Sequence, residues 1–198
     1  SFAKEVATGL PTLVTVASAD EKVAQTCQRF FQTQTFRSYT STDVMGVQLG
    51  GALKNIIAIA AGALSGLGYG ENAKGLLVSR GAVEMIYLGR ALGGDVKAFL
   101  GVAGIGDLVT TCNSPLSRNF TVGYRLAKGE KLQHILNDMS EIAEGINTVR
   151  IAKKCADHYK VRALITDRLY KVLFEGMTVE SALEFLMRFP LSADIDFI

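Results

Sequence analysis

The chain has 198 residues, 48% of them hydrophobic and 20% charged, with a formal net charge of +2. A balance so near neutral argues against a nucleic-acid partner, which draws on a concentrated basic patch. Cys27, Cys112 and Cys155 are odd in number and widely spaced, and His134 and His158 are the only histidines, so neither a disulfide framework nor a metal centre is expected.

In chain order, the opening SFAKEVATGLP begins at Ser1 with no charged, apolar and cleavage regions of a signal peptide. It reads as the middle of a protein, so a fragment lacking an N-terminal part is expected. Thr12–Ser18 (TLVTVAS) is a β-branched apolar run and predicts a buried strand. Asp20 is placed to cap a helix whose Val23, Cys27, Phe30 and Phe31 recur at i, i+4, i+7 and i+8. Phe36–Thr40 predicts a second short strand. Two strands cannot bury both faces of a parallel sheet, so residues 1–43 are expected to be the trailing edge of a larger α/β domain.

From Asp43, a good N-cap, the signals become helical. Lys54 is the only charged residue between Gly46 and Gly70, in GVQLGGALKNIIAIAAGALSGLGYG. A helix so apolar is buried on most of its circumference. An unpaired ammonium there is costly, so Lys54 is expected either to meet a carboxylate or to serve chemistry. Gly50, Lys54, Ala58 and Ala61 share one face, which leaves room beside the lysine for a small anionic ligand. The run is long enough to cross a membrane, but the central charge and the absence of flanking basic clusters argue against a span.

GLGYG (66–70) looks like part of a dinucleotide-binding loop, yet it follows a helix where that loop needs a strand, so a tight turn is expected. Further helices are predicted over 72–92, 95–100, 105–112, 117–127, 130–137, 141–159, 163–175 and 178–188, with Pro190 beyond the last. Residues 44–198 therefore read as an all-α domain.

The segment GIGDLVTTCNSPLSRN (104–119) carries the second cluster of chemistry. Thr110 and Thr111 lie three and four residues after Asp107, so carboxylate and hydroxyl share a helix face. Ser117, Arg118 and Asn119 open the next helix, where free N–H groups and the dipole suit a phosphate; a plain serine cap with a solvated arginine fits the spacing equally well. Glu144 near a helix start reads as dipole compensation. Cys112 reads as a small buried residue, and both histidines as solvated.

SFAKEVATGLP, GVQLGGALKNIIAIAAG, GDLVTTC, SRN and AEGINT, in that order, closely resemble the bacterial type of NAD(P)-dependent glycerol-3-phosphate dehydrogenase. The resemblance spans essentially the whole chain. It implies interconversion of dihydroxyacetone phosphate and sn-glycerol 3-phosphate for glycerophospholipid synthesis, with NAD or NADP as cofactor, in the cytoplasm. It makes Lys54 the acid/base and Asp107 its partner at the substrate. Asn55, Thr111, Ser117, Arg118, Asn119 and Ser1 become substrate contacts, while Ala3, Arg118, Ile142 and Glu144 become cofactor contacts. It also divides the chain into a remnant of the nucleotide-binding Rossmann domain (1–43) and an all-α substrate domain (44–198). Oligomeric state stays open, a homodimer included.

One departure is large: no strand followed by a GxGxxG loop exists in this sequence, and a further lysine expected of the family is missing. The 198 residues alone are therefore expected to turn over little or nothing. Two other readings stand beside this one. One is a related two-domain dehydrogenase acting on another hydroxyacid; the other is a helical interaction module in which Lys54 is merely salt-bridged.

Overall fold

A computed structural model describes residues 2–139 and 143–188. It opens with a short helix the sequence did not signal, α1 (Ala3–Ala7), followed by β1 (Thr12–Ala17), α2 (Glu21–Phe31) and β2 (Phe36–Ser41). The two strands are parallel, in a register running from Thr12↔Phe36 to Ala17↔Ser41. α2 begins where expected, because Asp20 Oδ1 accepts the Lys22 N–H at 2.8 Å.

The apolar stripe of α2 finds little to bury against. Val23 and Phe31 are exposed, and Phe30 is 82% exposed. Leu13 and Tyr39 on the strands are exposed as well. A two-stranded sheet has too little area to cover such a face.

The rest of the described chain is helical: α3 (Val44–Gly66), α4 (Glu71–Ala91), α5 (Val96–Leu100), α6 (Asp107–Cys112), α7 (Arg118–Ala127), α8 (Leu132–Asp138), α9 (Gly145–Tyr159), α10 (Leu164–Phe174) and α11 (Val179–Met187). The expected mainly α fold with a preceding β-α-β piece is therefore present. One detail differs: Val102–Gly106 forms a π-helical turn, so the helix expected over 105–112 takes its α form only from Asp107. GLGYG is a turn as read, with Gly68 at φ +82° and Gly70 at the start of α4.

α3 is the axis of the molecule. Asp43 sets its start, accepting the Gly46 N–H through Oδ1 at 2.8 Å and the Asp95 N–H through Oδ2 at 2.7 Å. Ile56, Ile57, Ala58, Ile59 and Ala61 are buried, and α4, α6, α7, α9 and α10 all pack on this helix. Its length and apolarity would suit a membrane span, but here they make a protein core.

The tightest crossing is α3 with α7. A Cβ on Gly62 would collide with the Phe120 carbonyl, and one on Gly123 would collide with the Ile59 carbonyl. Backbones this close exclude any side chain, and the start of α7 is thereby held against α3.

Glu84 of α4 ties that helix to the start of α10. Its Oε2 accepts the Ile165 N–H at 2.8 Å; Oε1 accepts the Thr166 N–H at 2.9 Å and the Thr166 hydroxyl at 2.6 Å. A buried carboxylate thus caps α10 from a helix about eighty residues earlier. Burial pushes its pKa above 4.5, outweighing the opposing hydrogen bonds from Thr166 and Ile165.

Glu84→Ala strips acceptors from two buried helix-start N–H groups and should cost roughly 2–5 kcal/mol. Denaturant unfolding measures this. Because the folded pKa lies above the unfolded one, the Glu84 contribution is full below pH 4.5 and is lost as pH rises through the raised value. The stability gap between wild type and variant should accordingly widen as pH is lowered toward 4.5.

Candidate active site

Lys54 sits midway along α3 and is neutralised across the bundle. Its Nζ lies 2.8 Å from Asp107 Oδ2, with the two side chains 15% and 20% exposed. Both charges are thus largely withdrawn from water yet still reachable by a small molecule. Lys54 Nζ also donates to the Thr111 hydroxyl at 2.9 Å. That hydroxyl donates in turn to the Asp107 main-chain carbonyl at 2.6 Å, the i−4 bond open to a helical threonine. The ammonium is therefore held by a charge and by an oriented lone pair on the same helix.

Spacing left Thr110 and Thr111 equivalent. The structure separates them: Thr111 is buried against Lys54, while Thr110 is exposed and donates to the Gly106 carbonyl at 3.0 Å.

Asp107 owes its position to the π-helical turn before it. Gly50 of α3 presses on that turn, where an added Cβ would lie 2.9 Å from the Ala103 carbonyl oxygen. This corrects one expectation. The small residues flanking Lys54 were read as space for a ligand, but Gly50 is filled by the backbone of residues 103 and 104, and Ala58 and Ala61 are fully buried. They bring helices close. Open space lies instead over Gly51, where an added Cβ would meet nothing within 4 Å among the described residues.

A second line of contacts links Lys54 to the Ser117–Asn119 segment. Asn55, the next residue of α3, is buried and bonds back to the Gly51 carbonyl at 3.4 Å. Gly145, the first residue of α9, packs beside the Asn55 carbonyl, and its N–H donates to Asn119 Oδ1 at 2.9 Å. α3, α7 and α9 meet at this point.

Ser117 is buried and caps α7, its Oγ accepting the Phe120 N–H at 3.2 Å. The plain capping role is realised, and the hydroxyl proton remains to be donated elsewhere. Arg118 is exposed at the same helix start. Glu144 precedes α9, exposed, and its side chain makes no cap bond. Ala3 is exposed at the start of α1, and none of these contacts includes it. Ser1 and Ile142 lie outside the described residues.

The electrostatics separate reactive from inert groups. Burial raises the Asp107 pKa, but hydrogen bonds and positive charge beside it, those of Lys54 foremost, prevail and hold it below 3.8. The Cys112 thiol is buried and pushed up to about 12, so it is no nucleophile at neutral pH. His134 is exposed beside Glu130, and His158 is exposed, as read. No group of three metal-ligating side chains occurs among the described residues.

The site thus contains an ammonium, its ionised carboxylate partner, and a helix start bearing serine, arginine and asparagine. Sequence reasoning passed over Gly145. Its signal was a glycine in the first turn of a long helix, where glycine weakens the helix unless something must come close.

The folded pKa of Asp107 is depressed, so its stabilising contribution is present above pH 3.8 and lost as pH falls through the lowered value. Unfolding measured across a pH series should show wild type losing stability below pH 3.8 more steeply than Asp107→Asn.

Residues 43–184 match the family model for the C-terminus of NAD-dependent glycerol-3-phosphate dehydrogenase. The chain is 46% identical to a glycerol-3-phosphate dehydrogenase (NAD(P)+) of Syntrophotalea carbinolica, covering 99% of this chain and 59% of that one. It is 49% identical to one of Bacillus pumilus, covering 94% and 54%. The crystal structure of glycerol-3-phosphate dehydrogenase from Coxiella burnetii superposes with a TM-score of 0.90 at 33% identity, over 94% of this chain and 57% of that one. The chain therefore spans between half and three fifths of the length of the curated relatives it matches.

Proposed function

The chain belongs to the NAD-dependent glycerol-3-phosphate dehydrogenase family, and on that premise we propose that it provides the substrate-binding half of an enzyme interconverting dihydroxyacetone phosphate and sn-glycerol 3-phosphate. The observation carrying this reading is the Lys54 ammonium, largely withdrawn from water and aimed by Asp107 and Thr111.

Reduction of the ketone leaves negative charge on its oxygen, which must receive a proton. Lys54 is the donor: its Nζ–H bond breaks as the new O–H bond forms, and in the reverse direction Lys54 takes that proton back. Asp107 stays ionised throughout, its depressed pKa keeping the proton off it. Thr111 and Asp107 together hold Nζ in place, so little reorganisation accompanies transfer.

The phosphate sits at the start of α7. Free N–H groups, the positive end of the helix dipole, the Ser117 hydroxyl, the Arg118 guanidinium and the Asn119 amide all favour an anion there. Asn55, buried next to Lys54, completes the substrate contacts, with Ser1 as a further one.

The nicotinamide cofactor, NAD or NADP, supplies the hydride to the carbonyl carbon when bound. Arg118 and Glu144 are exposed at two helix starts that Asn119 and Gly145 tie together; the guanidinium suits a phosphate of the dinucleotide, and the carboxylate suits one of its hydroxyl or amide donors. Ala3 and Ile142 join them on this reading. The nucleotide-binding half covers the exposed apolar face of α2, β1 and β2, so that residues 1–43 complete a Rossmann domain and 44–198 form the substrate domain. The greater length of the relatives and the exposure of Phe30 support that arrangement. Free Cys27, Cys112 and Cys155 fit a cytoplasmic enzyme feeding glycerophospholipid synthesis.

The test is Lys54→Met in an enzyme with its nucleotide-binding half in place. Turnover of dihydroxyacetone phosphate should fall by about 10²–10⁴-fold. The companion double variant Lys54→Met/Asp107→Asn, which removes the stranded charge, should regain stability and stay inactive. Recovery of activity in the double variant would show that Lys54 is only a structural cation.

A further inference from the structure

Gly145 has no backbone reason to be glycine. It lies in the first turn of a fifteen-residue helix, and it is not among the residues at positive φ. Its reason is proximity. A Cβ there would stand 2.5 Å from Asn119 Oδ1, 3.0 Å from Asn119 Cγ and 3.0 Å from the Asn55 carbonyl oxygen.

What it touches is also defined. Asn119 is more than nine-tenths buried, and its Oδ1 is occupied by the Gly145 N–H at 2.9 Å. An amide whose oxygen is fixed by a donor has its nitrogen fixed as the opposite edge. Nδ2 makes no hydrogen bond among the described residues and is not among their buried unpartnered atoms, so this edge opens toward solvent. The donor edge is therefore the one that can meet a ligand acceptor, and Gly145 decides which edge that is.

We propose that Gly145 is the positioning residue of the phosphate cradle: its N–H locks Asn119 so that Nδ2 donates to the substrate phosphate. Its missing side chain lets α9 come near enough to do so. This rests on the reading that Ser117–Asn119 receives the phosphate. On the proposed placement of the cofactor it also links the two ligands, since Glu144 is next to Gly145 in the chain. A larger residue at 145 would push against Asn119 before anything else, because the Asn55 carbonyl belongs to the stiff backbone of α3.

A double-mutant cycle in the enzyme with its nucleotide-binding half in place tests this, reading KM for dihydroxyacetone phosphate, kcat and thermal midpoint. Gly145→Ala and Asn119→Ala should each raise KM on the order of tenfold, with kcat changed much less. In the Asn119→Ala background, adding Gly145→Ala should raise KM no further, because the residue it acts through is gone. A Gly145→Ala effect equal in both backgrounds would overturn the proposal and make Gly145 a packing residue only.

Should Gly145→Ala not fold, Asn119→Asp decides. It keeps the acceptor for the Gly145 N–H but turns a carboxylate toward the phosphate, so the midpoint should hold while KM rises on the order of a hundredfold. An unchanged KM would overturn the proposal. A wild-type enzyme that does not saturate with dihydroxyacetone phosphate would instead overturn the substrate reading, and this inference with it.

Discussion

A lysine in the middle of the most apolar helix sets the conditions that the rest of this molecule satisfies. α3 is largely buried from Leu53 to Gly66, and Lys54 brings a charge into it. Asp107 answers that charge at 2.8 Å. For the carboxylate to arrive there, α6 must start close to α3, and the π-helical turn resting on Gly50 brings it close. Such turns carry poorer hydrogen bonding than an α-helix and recur where a functional side chain has to be aimed. Thr111 then spends one lone pair on Nζ and its proton on the helix backbone, which leaves the ammonium without rotational freedom. An ion pair largely withdrawn from water loses much of its attraction to the cost of desolvating both charges. Its maintenance here is better explained by what the lysine does than by what the pair holds together.

Close backbone contact is the second constraint, and it connects the pair to the phosphate cradle. Gly62 and Gly123 let α7 lie against α3, so the start of α7 is fixed relative to Lys54 by main chain and not by flexible side chains. Gly145 does the same for α9. The three helix surfaces converge at Asn55 and Asn119. On the proposed chemistry this is the right kind of frame: a phosphate clamp and a proton donor must stay in register within fractions of an ångström for a small substrate. Glu84 stabilises the same bundle by capping the start of α10 with a buried carboxylate.

Much of this was legible in the residues because the signals were local. Asp20 and Asp43 sit directly ahead of their helices and cap them. Lys54 stood out as a lone charge, and Asp107 with Thr111 fell at helical spacing. What was not legible depended on distant partners. Nothing near Glu84 in sequence shows that it caps a helix some eighty residues on. Thr110 and Thr111 share a periodicity and differ only in what faces them. Glycine and alanine beside Lys54 were compatible with ligand space or with helix contact, since a missing side chain does not say what replaces it. The structure assigns Gly50, Ala58 and Ala61 to contact. The apolar stripe of α2 was read correctly as a stripe, but its covering surface is not among the described residues.

The central claim is that Lys54 Nζ, aimed by Asp107 and Thr111, delivers the proton to a substrate whose phosphate is held at the start of α7. A crystal structure of the enzyme, nucleotide-binding half included, with cofactor and dihydroxyacetone phosphate tests it most directly. The account predicts the ketone oxygen within about 3 Å of Lys54 Nζ and the phosphate on Ser117, Arg118 and Asn119. A ligand bound with its ketone oxygen away from Lys54, or with its phosphate away from α7, would contradict it.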